Sequence, residues 1–452
     1  MTLTSQNANA PWLTTTPTDW FSDRLKDIVP RILGGGTPAS LDSDCWDDGD
    51  IVWVTPSDFS RSENASEISD SERKITRTGL QSSAATLLPA GTVIMASRAT
   101  IGTVRLAGCE LTTNQGFISF ICDERKLHGR FLYYVLSGLL GNYFAEIAPG
   151  TTFKEISRGK AKLEPIGFPS SAEQQRIAAY LDASCAAIDA AVAAKQRQIE
   201  TLDGVRKDII QKAVTRGLQE RPTLKKTGNV WMNEVPFTWE LVSLKRVSEI
   251  QGGLTLGKVY EGSLIERPYL RVANVQDGHL NLQDVTTIEV PVKVAHRVEL
   301  RPGDVLMTEG GDLDKLGRGT IWSGEIPNCL HQNHIFAIRC FKHKLLSAFL
   351  AYLTASRYGR DYFEATGKRT TNLASTNSTK VGLFPIPRPS IEEQRAICRY
   401  LANKLDDVTQ IVNGIEAQIA TLIAYRKSLI HECVTGQRRI VEADINRVKA
   451  HG

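Results

Sequence analysis

The sequence predicts an α+β protein in which two globular α/β units alternate with two long helices, so that the second half repeats the first. Three observations predict this architecture. A ten-residue segment occurs at Ala172–Leu181 and again, in similar form, at Glu392–Leu401. An apolar stripe of near-heptad spacing follows each copy, and the segments that precede the two copies also correspond.

Length and composition are those of a multidomain globular protein. The chain has 452 residues, of which 42% are hydrophobic and 23% charged, and its formal net charge is +4. This length suffices for roughly two to four domains. No run of 18 apolar residues and no secretory signal is apparent, so we expect no membrane partner. Eight cysteines without CxxC spacing indicate free thiols in a reducing cytoplasm, where we expect the protein to reside.

The repeat keeps a constant offset without a gap. Ile177 aligns with Ile397, and 397 − 177 = 220. Identical residues at the same offset include Pro169/Pro389, Ser170/Ser390, Glu173/Glu393, Gln174/Gln394, Tyr180/Tyr400, Leu181/Leu401, Arg206/Arg426, Lys207/Lys427 and Thr215/Thr435. Chance helical composition does not keep register over such a span, which indicates a duplication.

Each copy is predicted to be one long helix. Ser170 with Glu173, and Ser390 with Glu393, have the spacing of capping boxes. The predicted coiled-coil packing positions are Ile177, Leu181, Ile188, Val192, Ile199, Leu202 and Ile209 in the first helix, and Ile397, Leu401, Leu405, Val408, Val412, Ile415, Ile419, Leu422 and Leu429 in the second. About 43 residues at 1.5 Å each make a helix of about 65 Å. A narrow stripe of this length favours packing against the other copy, and two helices packed on separate cores remain the alternative.

The segments that precede the helices correspond more loosely. Trp20 and Trp239 each lead to a glycine cluster, Gly34–Gly36 and Gly252–Gly253, which favours turns or close chain approaches. Alternating strand-like runs and a short apolar helix follow in both halves. The predicted boundaries are residues 1–168 and 218–388 for the globular units, 169–217 and 389–436 for the long helices, and 437–452 for a tail.

At this level of detail the chain resembles the specificity subunits of type I restriction–modification enzymes. The resemblance covers nearly all of the chain, and its most specific feature is the repeated Pro-x-x-x-Glu-Gln-x-x-Ile-x-x-Tyr-Leu start of each long helix. It implies that the globular units are target recognition domains, each reading one half of a split, asymmetric DNA target. It also implies that the helices pair as an antiparallel coiled coil that separates the two domains.

The resemblance also implies the partners. They are double-stranded DNA, two methyltransferase (modification) subunits and the restriction subunits, which translocate and cut DNA. We expect no cofactor on this chain, with S-adenosylmethionine, ATP and Mg carried by the partner subunits. The sequence shows no methyltransferase, Walker or metalloprotease motif, so we expect a non-catalytic, DNA-recognising protein.

Candidate DNA contacts are basic, amide and hydroxyl side chains in loops that follow predicted strands, because such groups bind base edges and phosphates. The first domain supplies Ser57, Arg98, Thr100, Thr151, Thr152 and Lys154, and the second supplies Arg271, Asn274, Gln276, Lys315, Arg318, Lys368, Arg369, Thr371 and Asn372. A solvated loop remains the alternative at each position. Asn114–Gln115 and Gln332–Asn333 could instead satisfy buried backbone groups.

Other functions remain as alternatives. Cys329, His331, His334, Cys340 and His343 raise the question of zinc, but their spacing matches no standard finger, so we expect no metal. A stand-alone enzyme acting on nucleic acid would show methyl transfer by the chain alone. A coiled-coil scaffold without a DNA role would show no salt-sensitive, sequence-selective DNA complex.

Overall fold

The computed structural model of the protein describes residues 10–61, 65–150, 154–255, 257, 260–311, 316–317, 319–369 and 374–451. These residues divide into two compact units. The first comprises Met1–Lys195 and Ala417–Gly452, and the second comprises Gln196–Glu416. Each unit therefore holds one globular domain and half of each long helix.

The first domain is a mixture of short strands and helices. Its strands are β1 Phe21–Arg24, β2 Arg31–Gly34, β3 Ile51–Val54, β4 Glu67–Ile68, β5 Lys74–Ile75, β6 Val93–Ala96, β7 Val104–Ala107, β8 Thr112–Thr113, β9 Phe117–Ile121 and β10 Pro165–Phe168. Its helices are α1 Leu25–Ile28, α2 Pro56–Arg61, α3 Arg77–Gln81, α4 Gly129–Val135, α5 Gly141–Ile147 and α6 Arg158–Ala161, and the long helix α7 Ser171–Arg216 follows.

The second domain repeats this order. Its strands are β11 Leu224–Lys226, β12 Glu234–Pro236, β13 Glu240–Ser243, β14 Ser248–Gly252, β15 Ile265–Leu270, β16 Thr286–Val290, β17 Val305–Thr308, β18 Gly310–Gly311, β19 Gly319–Ile321, β20 Leu330–His331, β21 Ile335–Cys340, β22 Lys368–Arg369, β23 Ala374–Ser375 and β24 Pro385–Arg388. Its helices are α8 Val292–Val298, α9 Ser347–Ala355, α10 Arg357–Thr366 and α11 Ser378–Leu383, followed by the long helix α12 Ile391–Val434 and by α13 Glu442–His451.

The sheets of the two domains have a similar arrangement, with five strands in the main sheet of the first and four in that of the second. The main sheet of the first has the order β2-β9-β6-β7-β4, and that of the second has the order β14-β21-β17-β19. A second sheet pairs β3 in parallel with β8 and antiparallel with β5, as β15 pairs with β20 and β16. The strands β1 and β10 form an antiparallel pair, and so do β13 and β24. The looser correspondence seen in the sequence is therefore a correspondence of folds.

The glycine clusters mark two equivalent close approaches. A Cβ built on Gly35 would lie 2.0 Å from the backbone oxygen of Asn114, and one built on Gly253 would lie 2.1 Å from that of His331. Real Cβ contacts do not reach such distances, so only glycine fits at either position. The close approaches therefore lie between the end of β2 and the end of β8 in the first domain, and between the end of β14 and the end of β20 in the second.

In the first unit, the beginning of α7 packs against the end of α12. Ile177, Leu181 and Ile188 share one buried cluster with Leu429 of α12 and with the core of the first domain. Asp189 forms an ion pair with Arg426 at 3.1 Å, and Lys195 donates a hydrogen bond to Gln418. Because the partner number falls as the α7 number rises, the two helices run antiparallel here.

In the second unit, the end of α7 packs with the beginning of α12. Ile210 and Val214 of α7 are buried in one cluster with Ile397 and Leu401 of α12, and Ile209 and Leu405 pack against it. The two long helices thus form the predicted antiparallel pair. The remaining predicted packing positions are half-buried, namely Val192, Ile199, Leu202, Val412, Ile415, Ile419 and Leu422, apart from Val408, which is buried.

The second long helix begins with one of the two hydrogen bonds that a capping box predicts. The Ser390 hydroxyl accepts a hydrogen bond from the backbone N–H of Glu393 at 3.2 Å. In the first copy the carboxylate of Glu173 instead meets the guanidinium of Arg439 at 3.1 Å. The adjacent glutamines, Gln174 and Gln394, are fully buried and bond to the loop before α4 or α9.

The helix α7 is both long and apolar, and its first half is part of a buried core. Within the described residues, α7 is the one helix long and apolar enough to cross a membrane by length and composition. Its first half contributes Ile177, Ala178 and Leu181 to the core of the first unit.

All eight cysteines are free, and burial raises the pKa of the Cys185 thiol to about 11.

Candidate nucleic-acid interface

The loop after β6 brings several candidate residues of the first domain together. Arg98 and Glu155 form an isolated bridge and an ion pair at 2.9 Å, and both side chains are about half exposed. Thr100 and Lys154 are exposed on the same two segments. The backbone oxygen of Ser97 accepts a hydrogen bond from the N–H of Ile156 at 3.0 Å, which ties the segments together.

A neighbouring loop places Ser57 beside this cluster. Ser57 is exposed in the first turn of α2, and its hydroxyl lies 2.8 Å from that of Thr55. A Cβ built on Gly116 would lie 3.6 Å from Pro56, and the oxygen of Gly116 accepts from the N–H of Ser97. The loops that carry Ser57 and Arg98 are therefore adjacent.

The equivalent edge of the second domain carries different side chains. Nδ1 of His334 lies 2.6 Å from Oε2 of Glu309, the residue that follows β17. The strand β18 continues this segment and pairs with β23, which pairs in turn with β22, where Lys368 is exposed. One edge thus combines a carboxylate, an imidazole and a lysine.

The candidates after β15 divide by exposure. The Asn274 side chain is buried, accepts from the N–H of Arg271 at 2.7 Å, and donates to two backbone oxygens at 2.9 Å each. It stabilises the turn and offers no amide to a base in this structure. Arg271 forms an ion pair with Asp284 at 2.6 Å, and Gln276 is exposed and donates to Ala273.

Six candidates lie outside the described residues, namely Thr151, Thr152, Lys315, Arg318, Thr371 and Asn372. For Arg369 the backbone is described as part of β22, whereas its side chain is not.

The two Asn/Gln segments serve the local backbone. Asn114 accepts from the N–H of Gly116 at 2.9 Å, and Gln115 accepts from the hydroxyl of Thr37. Gln332 accepts from the N–H of Val272 at 3.4 Å. This favours the alternative in which these amides satisfy backbone and loop groups.

The sequence prediction missed Glu155 in the first domain and Glu309 in the second, and it considered His334 only as a possible zinc ligand. Glu155 and Glu309 were not candidates, because the sequence criterion was limited to basic, amide and hydroxyl side chains. The repeat holds a signal for the second edge, because Ser97 and Gly116 align with Glu309 and His334. A position that gains a charged or imidazole side chain in one copy alone marks a difference between the domains.

The residues considered for zinc do not converge. Cys329 is buried, and Nδ1 of buried His331 bonds to the oxygen of Val298 at 3.0 Å. His334 instead meets Glu309 at the exposed edge. Across the part of the chain that the structure describes, no group of three or more His, Cys, Asp or Glu residues could hold a metal ion.

Comparison with known proteins shows what the chain is similar to. Residues 17–201 match the family model of the type I restriction modification DNA specificity domain. This part of the chain, which holds the first domain and the first half of α7, is therefore similar to that domain family. Over 270 residues the chain is 30% identical to the type I restriction enzyme MjaIX specificity subunit of Methanocaldococcus jannaschii. That alignment covers 58% of this chain and 59% of the relative, so the chain spans about three fifths of the relative's length.

Two solved structures share the fold over nearly the whole chain. A structure from work on assembly and conformational transition of the type I R-M system matches with a TM-score of 0.69 and 17% identity, covering 93% of this chain and 98% of that chain. The HsdS subunit from Thermoanaerobacter tengcongensis matches with a TM-score of 0.52 and 18% identity, covering 94% and 98%. At these identities the matches show a shared fold alone.

Proposed function

We propose that this protein is a specificity subunit, the non-catalytic, DNA-reading component of a type I restriction–modification complex, and that it recognises a bipartite, asymmetric target. One observation carries the proposal. The two domains share a backbone frame, yet the same exposed edge carries Arg98 and Glu155 in one domain and Glu309, His334 and Lys368 in the other. One frame with two unlike sets of polar groups suits two unlike half-sites.

The chemistry of each edge fits base recognition. Arginine donates to guanine, and a carboxylate accepts from an amino group of cytosine or adenine, in the major groove. Exposed lysine binds phosphate without sequence preference. The paired helices would hold the two readers apart, and half-sites on one face of B-DNA recur about every 34–36 Å.

The exposed apolar residues of the long helices support the proposed protein partners. Tyr400, Ile411 and Val205 in the second unit and Ile423 and Tyr425 in the first are all more than one third exposed. A docking surface requires that such side chains form a contiguous apolar patch. We place the two methyltransferase subunits there, and the restriction subunits on the assembled methyltransferase.

Cofactors would come with these partners in the cytoplasm. The proposal assigns S-adenosylmethionine to the methyltransferase subunits, and ATP and Mg to the restriction subunits. Purified chain incubated alone with labelled S-adenosylmethionine and duplex DNA should transfer no methyl group. Transfer by the chain alone would favour the stand-alone enzyme.

A domain exchange tests the two-reader proposal. Residues 1–168 are replaced by the corresponding domain of another specificity subunit, and the hybrid is expressed with its methyltransferase subunits. Sequencing of methylated bases in the host genome should show one changed half-site and one unchanged half-site. A change in both halves would contradict the proposal.

A lysine variant tests phosphate contact. Lys368→Ala should weaken binding to all duplexes alike and lower the slope of log K against log salt by about 1, because one phosphate contact is lost. Lys342 is the matched control, because it is exposed just after β21, whereas His334 and the candidate edge lie just before this strand. Equal salt slopes for the two variants would remove Lys368 from the interface.

A further inference from the structure

Glu309 and His334 form a polar pair at an exposed edge of the second domain. Nδ1 of His334 and Oε2 of Glu309 are 2.6 Å apart, with side chains 53% and 30% exposed. The backbone positions both residues, because the N–H of Glu309 donates to the oxygen of His334 at 2.8 Å. A second backbone bond runs from the N–H of Thr376 to the oxygen of Glu309 at 2.7 Å.

The first domain has the same backbone arrangement without these side chains. The N–H of Ser97 donates to the oxygen of Gly116 at 2.8 Å, and the N–H of Ile156 donates to the oxygen of Ser97 at 3.0 Å. Ser97 and Gly116 therefore occupy the positions that Glu309 and His334 occupy in the second domain. The frame forms without the acid and the imidazole, so the fold does not require them.

Stability gives little reason for the pair. Exposed ion pairs contribute little to folding, because solvent screens them and the side chains lose freedom. The pair lies instead on the segment that continues into β18 and, through β23, reaches β22 with its exposed Lys368. A residue pair that is dispensable for the fold and lies on the same edge as an exposed lysine has the position of a recognition element.

The arrangement defines which base group it can recognise. With Nδ1 of His334 donating to Oε2, the carboxylate of Glu309 keeps acceptor capacity for a second donor. Exocyclic amino groups of cytosine and adenine are the donors that bases present in the major groove. Guanine and thymine present acceptors there and would be repelled by the carboxylate.

We propose that Glu309 determines specificity in the half-site read by the second domain by accepting a hydrogen bond from an exocyclic amino group of cytosine or adenine, and that His334 is the positioning residue that orients its carboxylate. This inference rests on the proposed DNA-reading function. It assigns one base pair of one half-site to one side chain.

The test compares matched variants of the full-length chain assembled with its methyltransferase subunits. Each protein binds a library of random duplexes, and the bound fraction is sequenced. The variants are Glu309→Gln, which keeps the shape of the side chain, and His334→Ala. The controls are Glu299→Gln and His296→Ala, because His296 and Glu299 form another exposed pair in the same domain, 3.7 Å apart at the end of α8.

Glu309→Gln should reduce the preference for one base pair of one half-site by about tenfold, within the range for a lost base contact, and leave every other position unchanged. His334→Ala should reduce the preference at the same base pair, whereas both controls should select the unsubstituted motif. His334→Gln, which restores a donor, should recover part of the preference.

Two results would overturn the inference. One is an unchanged motif for Glu309→Gln, and the other is a loss spread evenly over all positions. Thermal unfolding of each variant beside the unsubstituted complex separates misfolding from loss of recognition. Failure of the unsubstituted complex to enrich any motif would instead refute the proposed DNA-reading function, and the inference with it.

Discussion

Gln174 and Gln394, which are 220 positions apart in the sequence, make the same three hydrogen bonds in their two units. Oε1 of Gln174 accepts from the N–H of His128 at 2.7 Å, and Nε2 donates to the oxygens of Lys126 and Pro169 at 3.0 and 2.9 Å. Oε1 of Gln394 accepts from Leu346 at 2.9 Å, and Nε2 donates to Lys344 and Pro389 at 3.1 and 3.0 Å. Each glutamine joins the start of a long helix to its own domain.

Removal of either amide should loosen one unit. Gln174→Ala leaves three backbone groups without their partner, and we expect the free energy of unfolding to fall by about 3 kcal/mol. Gln198→Ala, an exposed position on the same helix, should change it by less than about 0.5 kcal/mol. Urea unfolding measures both, and equal midpoints for the two variants would show that the bonds contribute nothing.

Gly35 and Gly253 lie in close backbone contacts, and each has an adjacent glycine in open space that serves as a control. Gly35→Ala places a Cβ 2.0 Å from a backbone oxygen, whereas a Cβ on Gly34 meets nothing within 4 Å. We expect Gly35→Ala to lower the free energy of unfolding by about 2 kcal/mol or more, because two backbone segments must separate. Gly34→Ala should leave the melting temperature near that of the unsubstituted protein. Gly253→Ala and Gly252→Ala repeat the comparison in the second domain.

An arginine in the tail after α12 joins the tail to the first domain and to the start of α7. The guanidinium of Arg439 meets Asp19 at 2.9 and 2.7 Å and Glu173 at 3.1 Å. Arg439→Ala should therefore speed hydrogen exchange of residues 437–451, whereas Lys427→Ala, exposed on α12, should not. Identical exchange in both variants would rule out this role for Arg439.

The same contact predicts an acid response. Hydrogen bonds from Arg439 hold the pKa of Asp19 below its usual value of 3.8. A carboxyl with a lowered pKa stabilises the folded state above its unfolded pKa, and this contribution is lost as the pH falls below 3.8. Protection of the tail should decline over that acid range in the unsubstituted protein. Asp19→Asn should show a smaller decline, since its amide does not titrate.

His331 predicts a separate pH dependence at milder acidity. Burial lowers the pKa of this histidine from 6.5 to about 4. Below pH 6.5 the unfolded chain therefore binds a proton that the folded protein does not bind until about pH 4, so stability falls as the pH drops through this window. A difference of about 2.5 pH units corresponds to about 3 kcal/mol at most.

A conservative variant measures the histidine contribution. His331→Gln should lessen the loss of unfolding free energy between pH 7 and pH 4, because the buried titrating group is gone. His296→Gln, at an exposed position, should keep the pH dependence of the unsubstituted protein. The opposite ranking of the two variants would contradict the assignment to His331.

Much of the frame could be predicted from local pattern. Proline and Ser-x-x-Glu at the start of each copy, followed by apolar residues every three or four positions, predict a long helix without reference to the rest of the chain. The repeat then predicts that whatever surrounds one helix also surrounds the other. The similar arrangement of the sheets in the two domains confirms that expectation.

The candidate interface was less predictable, because its contacts join segments that are distant in the sequence. Arg98 was a candidate, but its ion-pair partner Glu155 lies in a distant segment that only the folded domain brings near. Asn274 has the residue type for reading adenine, yet the turn buries it. Residue type alone does not report exposure, and exposure decides whether an amide serves the fold or a ligand.

By itself, the sequence determined that this protein is a duplication with two long helices and two similar domains, because helical periodicity and repeated segments are properties of neighbouring residues. Only the tertiary structure decided that Arg439 joins Asp19, that Gln174 joins the start of α7 to the loop before α4, and that Glu309 stands beside His334. These contacts depend on how the chain closes on itself. Folding brings residues together that are far apart in the sequence, and the spacing of neighbouring residues does not predict those distances.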